Sequence, residues 1–219
     1  MLEIGPGTGQ ATIPLARRGY RIVAVELGRG LARKAQRKLA TFPDVEVVNA
    51  AFEDWPLPAE PFDAVVSATA FHWLDPDTGP ARAAEALVPG GVLAVVSTSH
   101  VAGGDLPFFD AVQRCYERYM PGTPPDERLP PAQDVPTTAA GLEEAGRFAG
   151  TVIRRYERDI AYSTAEYIDL LCTYSNHRAL EAHARLGLLG CIAQLIDEHH
   201  GGRITKRYLN ELAVAYRTP

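Results

Sequence analysis

Cysteine, positive charge and long apolar runs are all scarce in this chain of 219 residues. The three cysteines, Cys115, Cys172 and Cys191, are odd in number and widely spaced, which predicts reduced thiols rather than disulfides or a zinc site. No apolar run reaches membrane-spanning length, and the amino terminus does not have the pattern of a secretory signal. These absences predict a cytoplasmic protein that has no metal site and no membrane partner.

The charge balance is acidic, with 22 Lys and Arg against 27 Asp and Glu, for a net charge of −5. Proteins that bind nucleic acids usually carry an excess or a stripe of basic residues. We therefore predict no nucleic-acid partner. At 46% hydrophobic and 22% charged residues, the composition is that of a globular protein with a substantial core.

The first hundred residues alternate between short apolar runs and segments of helical period. Apolar runs predict five strands, at 1–4, 21–27, 45–50, 62–69 and 89–99. Because these runs are apolar at nearly every position, we expect a parallel sheet that is covered by helices on both faces.

The pattern changes after residue 100. A helix is predicted over 105–120, and the segment 121–136 carries six prolines, which exclude a central strand or a helix interior. Further on, the sequence predicts a helix at 137–148, a strand at 151–162, helices at 164–174 and 178–199, and a closing strand whose alternation is typical of an antiparallel edge.

The stretch LEIGPGTG places Gly5, Gly7 and Gly9 directly after the first strand. A glycine turn that opens a helix is typical of the carboxyl end of a parallel sheet, where ligands bind. A tight turn that binds no ligand would have the same sequence pattern. Glu26 ends the second strand, where a carboxylate can accept the hydroxyls of a ribose. Together the two features predict a nucleoside ligand.

The spacing of the turn indicates which nucleoside. A dinucleotide fingerprint has a third glycine at the position that Gln10 occupies here. Glu3 lies in the strand before the turn, and its carboxylate would repel a pyrophosphate but would suit a cationic group. The turn therefore disfavours a nicotinamide-dependent oxidoreductase and favours a cationic nucleoside.

Five segments in order resemble the motifs of class I S-adenosylmethionine-dependent methyltransferases: LEIGPGTG, VAVEL, NAAFEDWPL, FDAVVSATAFHWLD and ALVPGGVLAVV. Within that family the chain is most similar to the small-molecule branch that includes trans-aconitate methyltransferase. The resemblance implies an α/β, Rossmann-like fold: a seven-stranded, mostly parallel sheet with helices on both faces and an antiparallel last strand.

The resemblance also implies donor-binding residues at the strand ends. They are Glu3, Gly5, Gly7, Gly9, Glu26, Leu27, Phe52, Glu53 and Ala68. The glycines would pass under the methionine moiety of S-adenosylmethionine, with Glu3 near its amino group. Glu26 would hold the ribose, Leu27 would pack on adenine with Phe52 and Glu53 at the adenine edge, and the segment 68–70 would lie beneath the methyl donor.

A sulfonium is an activated methyl donor, so transfer requires mainly alignment and exclusion of water. His72 is the candidate general base, and the alternative is that it shapes the pocket wall with Trp73. Tyr174 and His177 are weaker pocket candidates. The acceptor atom (carboxyl, hydroxyl or nitrogen) stays open, and a carboxylate acceptor would need a cation, for which the candidates are Arg154, Arg155, Arg178 and Arg207.

The predicted organisation has three parts. Residues 1–100 form the S-adenosylmethionine-binding core, residues 101–200 a helical and proline-rich substrate cover with the sixth strand, and residues 201–219 the final antiparallel strand. The predicted function is methyl transfer to a small molecule. The alternative is a non-catalytic or vestigial nucleoside-binding protein. In the family, helices that precede the first strand usually cover the donor, and this sequence does not contain them. The oligomeric state stays open, with a dimer as one option.

Overall fold

The computed structural model describes residues 1–124, 127–138, 142–143 and 146–219. Five of the twelve residues of the helix predicted over 137–148 therefore lie outside the described residues, and Phe148 begins a strand instead. The described chain contains seven strands: β1 (Leu2–Ile4), β2 (Ile22–Glu26), β3 (Val45–Asn49), β4 (Phe62–Ala68), β5 (Leu87–Gly104), β6 (Phe148–Ser163) and β7 (Arg203–Arg217). Its α-helices are α1 (Thr12–Ala16), α2 (Arg29–Leu39), α3 (Thr78–Glu85), α4 (Leu106–Tyr119), α5 (Thr164–Leu171), α6 (Ser175–Ala179) and α7 (Ala182–His199).

All seven strands join one sheet in the order β3-β2-β1-β4-β5-β7-β6. The pairs β1–β2, β1–β4, β2–β3 and β4–β5 are parallel, and the last strands are antiparallel. The predicted fold class is thereby confirmed. The strand order reverses at β1, which is the kind of position where open α/β sheets bind ligands.

The chain divides into two compact units. The first unit comprises Met1–Thr98, Pro136–Arg155 and Asn210–Pro219, and the second comprises Ser99–Val135 and Tyr156–Leu209. Strand residues such as Leu2, Val65 and Leu93 are fully buried in the core of the first unit. Their apolar runs form strands because both faces of this part of the sheet are covered.

The second unit has its own core, which is built from helices and aromatic residues. Phe108, Leu188 and Ile192 are fully buried there, and a disulfide joins Cys115 on α4 to Cys191 on α7. The prediction of three reduced thiols is therefore wrong, and only Cys172 among the described cysteines is free. The two cysteines are separated by 76 positions along the chain, and they meet because α4 packs on α7. The disulfide also removes one of the grounds for predicting a cytoplasmic location.

Two further differences from the sequence prediction concern the second half of the chain. The helix predicted over 178–199 is two helices, α6 and α7, which are separated at Leu180 and Glu181. In the proline-rich segment, Ala132–Asp134 form a single 3₁₀ turn. Within the described residues, no helix combines the length and apolarity that a membrane span requires.

Candidate functional site

The glycine turn after β1 has backbone dihedral angles that residues other than glycine rarely adopt. Gly5, Gly7 and Gly9 all have positive φ, at 67°, 60° and 90°. A Cβ on Gly5 would lie 2.4 Å from the Cβ of Ala70, and the Gly5 N–H donates to the carbonyl of Val25 at 2.9 Å. Glycine is therefore required at Gly5 both by conformation and by space.

Glu26 is fixed at the carboxyl end of β2 by backbone amides. It is 6% exposed, and its Oε2 accepts the N–H of Gly7 at 2.9 Å while its Oε1 accepts the N–H of Gly28 at 2.7 Å. Asn49 braces the same turn by donating to the carbonyls of Glu26 and Leu27. A carboxylate held by one amide on each oxygen keeps lone pairs for a hydroxylated ligand.

Glu3 is a buried carboxylate in the middle of β1. It is 1% exposed, and its Oε2 has no hydrogen-bond partner among the described residues. Burial raises the pKa of Glu3 to about 7, and the Thr12 side chain acts in the opposite direction. A ligand cation near this carboxylate would favour its ionised form and relieve the cost of burying it.

A cavity of about 310 Å³ opens at these strand ends, and we call it the strand-end cavity. Six of the predicted donor-binding residues line it: Gly5, Gly7, Glu26, Leu27, Phe52 and Glu53. Glu3, Gly9 and Ala68 lie outside its lining, although Thr69 and Ala70, the neighbours of Ala68, contribute to it. A Cβ on Gly9 would lie 3.3 Å from Leu39, which indicates a packing role for that glycine.

The wall of the strand-end cavity includes large apolar side chains that are open to solvent. Trp73 is 74% exposed, and Leu27 and Leu31 are exposed as well. His72 is exposed and does not line the cavity, and its ring centre lies 5.0 Å from that of Trp73. The sequence analysis did not single out Leu31 and Leu74, because a cavity-lining leucine in a helix or turn has no signal that distinguishes it from a core leucine.

A larger depression of about 730 Å³ lies at the amino ends of the same strands and is lined by residues such as Met1, Ile22 and Phe62. Ligands of open α/β sheets bind outside the carboxyl ends of the strands. The smaller cavity, which also holds the convergent polar groups, is therefore the candidate site.

The weaker candidates lie in the second unit or pair with acids. The Tyr174 hydroxyl lies 3.1 Å from Nε2 of His100, and Nε2 of His177 lies 3.1 Å from the Tyr116 hydroxyl. Arg207 donates to both oxygens of Asp159, and Arg155 pairs with Glu211 at 2.8 Å. These two arginines are thus engaged, whereas Arg154 and Arg178 are exposed. No cluster of three or more His, Cys, Asp or Glu in the described ranges is arranged to hold a metal.

The amino-terminal part of the chain, which contains the strand-end cavity, matches a known family. Residues 2–95 match the family model described as a methyltransferase domain. An uncharacterised methyltransferase from Geobacillus kaustophilus is 32% identical over 102 residues, which is 45% of this chain and 46% of that protein. A ribosomal RNA small subunit methyltransferase A from a Synechococcus strain is 46% identical over 61 residues, which is 28% of this chain and 22% of that protein. The chain thus spans less than half the length of these curated relatives.

The fold as a whole also has solved counterparts. The structure of a protein described as a type II methyltransferase from Anaeromyxobacter dehalogenans aligns with a TM-score of 0.65 at 25% identity, covering 100% of this chain and 89% of that one. Every residue that lines the strand-end cavity falls within the matched range 2–95. Over that range, which is less than half of the chain, the protein is similar to methyltransferases.

Proposed function

We propose that this protein transfers a methyl group from S-adenosylmethionine to a small-molecule acceptor. The observation that supports this most directly is the strand-end cavity, which combines a glycine backbone with the fixed carboxylate of Glu26. Nearby, Glu3 offers a buried carboxylate oxygen that has no partner in the described chain. A cationic, hydroxylated nucleoside satisfies all three features, so the residues fit S-adenosylmethionine.

In the proposed complex, each part of the donor has a matching group in the cavity. Glu26 holds the ribose hydroxyls, as the resemblance implies, and Leu27 and Phe52 pack against the adenine. The ammonium of the methionine moiety is directed toward Glu3, whose ionisation it favours. The backbone at Gly5 and Gly7 allows close approach because no Cβ fills that space.

When bound, S-adenosylmethionine supplies a sulfonium whose methyl group is already activated for in-line displacement. The chain contributes alignment of donor and acceptor, and exclusion of water from the reacting atoms. A carboxylate acceptor needs no base, whereas a phenol or an amine benefits from one. His72 is the proposed base if one is used; its exposure supports the alternative that it only flanks Trp73.

The acceptor class is part of the proposal. The net charge of −5 favours a small molecule over nucleic acid, and the similarity to trans-aconitate methyltransferase stays a prediction. We also propose that residues 101–200, which the sequence analysis predicts to be the substrate cover, recognise the acceptor.

Calorimetric titration with S-adenosylmethionine tests the donor half of the proposal. Replacing Glu26 with alanine removes a charged acceptor of hydrogen bonds, so we expect at least a hundredfold loss of affinity. His72→Ala should change the affinity less than twofold, because His72 does not line the cavity. Glu60→Gln, an exposed carboxylate, is the charge control. No binding at millimolar donor, or an equal loss in the Glu26 and His72 variants, would contradict the assignment.

Turnover tests the acceptor half. Formation of S-adenosylhomocysteine is measured over a panel of small acids, phenols and amines, with a ribosomal RNA fragment included. Methylation of a small molecule is the expected result. Donor binding without any turnover would support the non-catalytic alternative, and methylation of the RNA alone would overturn the small-molecule acceptor.

A further inference from the structure

The second unit contains a buried lysine that is surrounded by aromatic rings. Lys206, on β7, is 4% exposed. Its Nζ lies 5.5 to 5.9 Å from the ring centres of Phe109, Tyr167, Tyr174 and Tyr208. We call Lys206 and these four rings the lysine cage.

The ammonium of Lys206 has no counter-ion in the described part of the chain. No described carboxylate lies within ion-pair distance of Nζ, whereas the next residue, Arg207, is held by Glu157 and Asp159. Cation–π attraction to the four rings offsets part of the cost of burial. A buried ammonium without an anion is nevertheless costly, and proteins usually pair such groups.

The polar groups around the cage leave that positive charge uncompensated. The hydroxyls of Tyr174, Tyr116 and Tyr208 pair with His100, His177 and Tyr162, respectively. Burial and the charge of Lys206 lower the pKa of His100 to about 4 and also lower the pKa of His177, so both rings are neutral at pH 7. Burial lowers the pKa of Lys206 only to about 8, which leaves it mainly protonated.

A cage of aromatic rings can also recognise a cationic ligand. Here the cage already contains a cation, so a second one would meet a like charge inside a poorly solvated space. An ammonium is instead the charged donor that a carboxylate or a phosphate needs.

We propose that the lysine cage binds the carboxylate or phosphate group of a small acidic molecule, with Lys206 as its counter-ion. The proposal goes beyond the proposed function, because it assigns a binding site that lies within the second unit.

Anion binding to the whole protein tests this inference. Citrate and inorganic phosphate are titrated at pH 7 against a chloride background of equal ionic strength. Lys206→Met removes the charge but keeps the length of the side chain, and we expect at least a tenfold loss of affinity for the anion that binds. Lys206→Arg should retain part of the affinity. Lys34→Met, at an exposed lysine of α2, should change it less than twofold. Whichever probe binds identifies the group as a carboxylate or a phosphate.

A second measurement does not depend on the variant folding. The chain has three lysines, so ¹³Cε-labelled lysine gives few NMR signals, and we expect the bound anion to shift one signal that titrates near pH 8. The inference is overturned if neither anion binds above the chloride background, if the Lys206→Met variant binds as well as wild type, or if only the exposed lysines respond.

Titration with S-adenosylmethionine on the same samples separates the two proposals. Lys206→Met should keep the donor affinity of wild type. Donor binding without anion binding would overturn only the lysine cage. Anion binding without donor binding would support the cage as a site and overturn the proposed methyl transfer.

Discussion

Each unit of the described chain buries a charged group that lacks a partner of opposite charge, and the two groups that we compare have opposite signs. In the first unit it is the carboxylate of Glu3, and in the second it is the ammonium of Lys206. Glu3 lies in a strand of three residues among backbone groups, next to a glycine turn. Lys206 lies among side chains from α4, α5 and β7 and from the segment that precedes α6.

The difference shows how two kinds of binding site are built. A site made from strand ends and backbone amides is encoded by a few residues that are close in sequence. A site made from side chains needs residues from distant segments to meet, so the spacing along the chain does not reveal it. The first design is suited to one constant ligand, and the second can change its ligand by single substitutions.

The largest expected contrast concerns the disulfide, which lies in the second unit alone. It closes a separation of 76 residues, for which chain entropy predicts a contribution of about 4 kcal/mol to the free energy of unfolding. Cys115→Ser should therefore speed hydrogen exchange in α4 and α7 much more than in β1 to β4, as measured by mass spectrometry. Cys172→Ser, at the free and exposed thiol, is the control. Equal acceleration in both units would show that they unfold together.

Glu3 and Lys206 should make the free energy of unfolding change with pH in opposite directions. The folded pKa of Glu3 is raised from 4.5 to about 7, so the folded state binds more protons in that window and stability falls as pH rises through it. The folded pKa of Lys206 is lowered from 10.5 to about 8, so stability rises with pH above 8. Each effect amounts to at most about 3 kcal/mol.

Denaturant titrations from pH 5 to pH 10 measure both slopes. Glu3→Gln should flatten the fall between pH 5 and 7, and Lys206→Met should flatten the rise above pH 8. Four other titratable groups lie near Lys206: His100, His177, Tyr174 and Tyr208. Above pH 8 both histidines are neutral, and the pKa of each tyrosine is raised. Slopes of wild-type size in these variants would contradict the assignment of the buried charges.

The smallest of the three effects tests the glycine turn. Gly5→Ala adds a Cβ 2.4 Å from Ala70 at a φ of 67°, whereas Gly19→Ala has a φ of 83° and no atom within 4 Å. Both substitutions strain the backbone, so the difference between them isolates the steric clash, for which we expect about 2 kcal/mol in the free energy of unfolding. Adding Ala70→Gly to Gly5→Ala should recover most of that difference, and no recovery would indicate that the clash is relieved elsewhere.

The sequence predicted the first unit well because its signals are local. Three glycines, Glu3 and Glu26 lie next to strands whose apolar runs are unmistakable, and six of the nine predicted donor-binding residues line one cavity. The register of a parallel sheet brings consecutive strand ends together, so positions along the chain translate directly into positions in the site.

The second unit was less predictable for a physical reason. Cys115 and Cys191 meet only because α4 packs on α7, and nothing in their spacing indicates this. Lys206 follows an alternating strand pattern, where a lysine normally points to solvent. The sequence analysis proposed arginines as the cations that bind an acceptor carboxylate, yet Arg207 pairs with Asp159. Only the packing of the chain shows that Lys206 is the buried cation without a counter-ion among the described residues.

The sheet order has a consequence for the synthesis of the chain. β7 lies between β5 and β6 but follows both along the chain, so the 18 residues of β5 have one unpaired edge, and β6 has no neighbour in the sheet, until β7 has been made. An apolar strand with an open edge is a template for pairing with other chains. Truncation of the last fifteen residues should therefore appear first as aggregation during expression, before any effect on the cavity is seen.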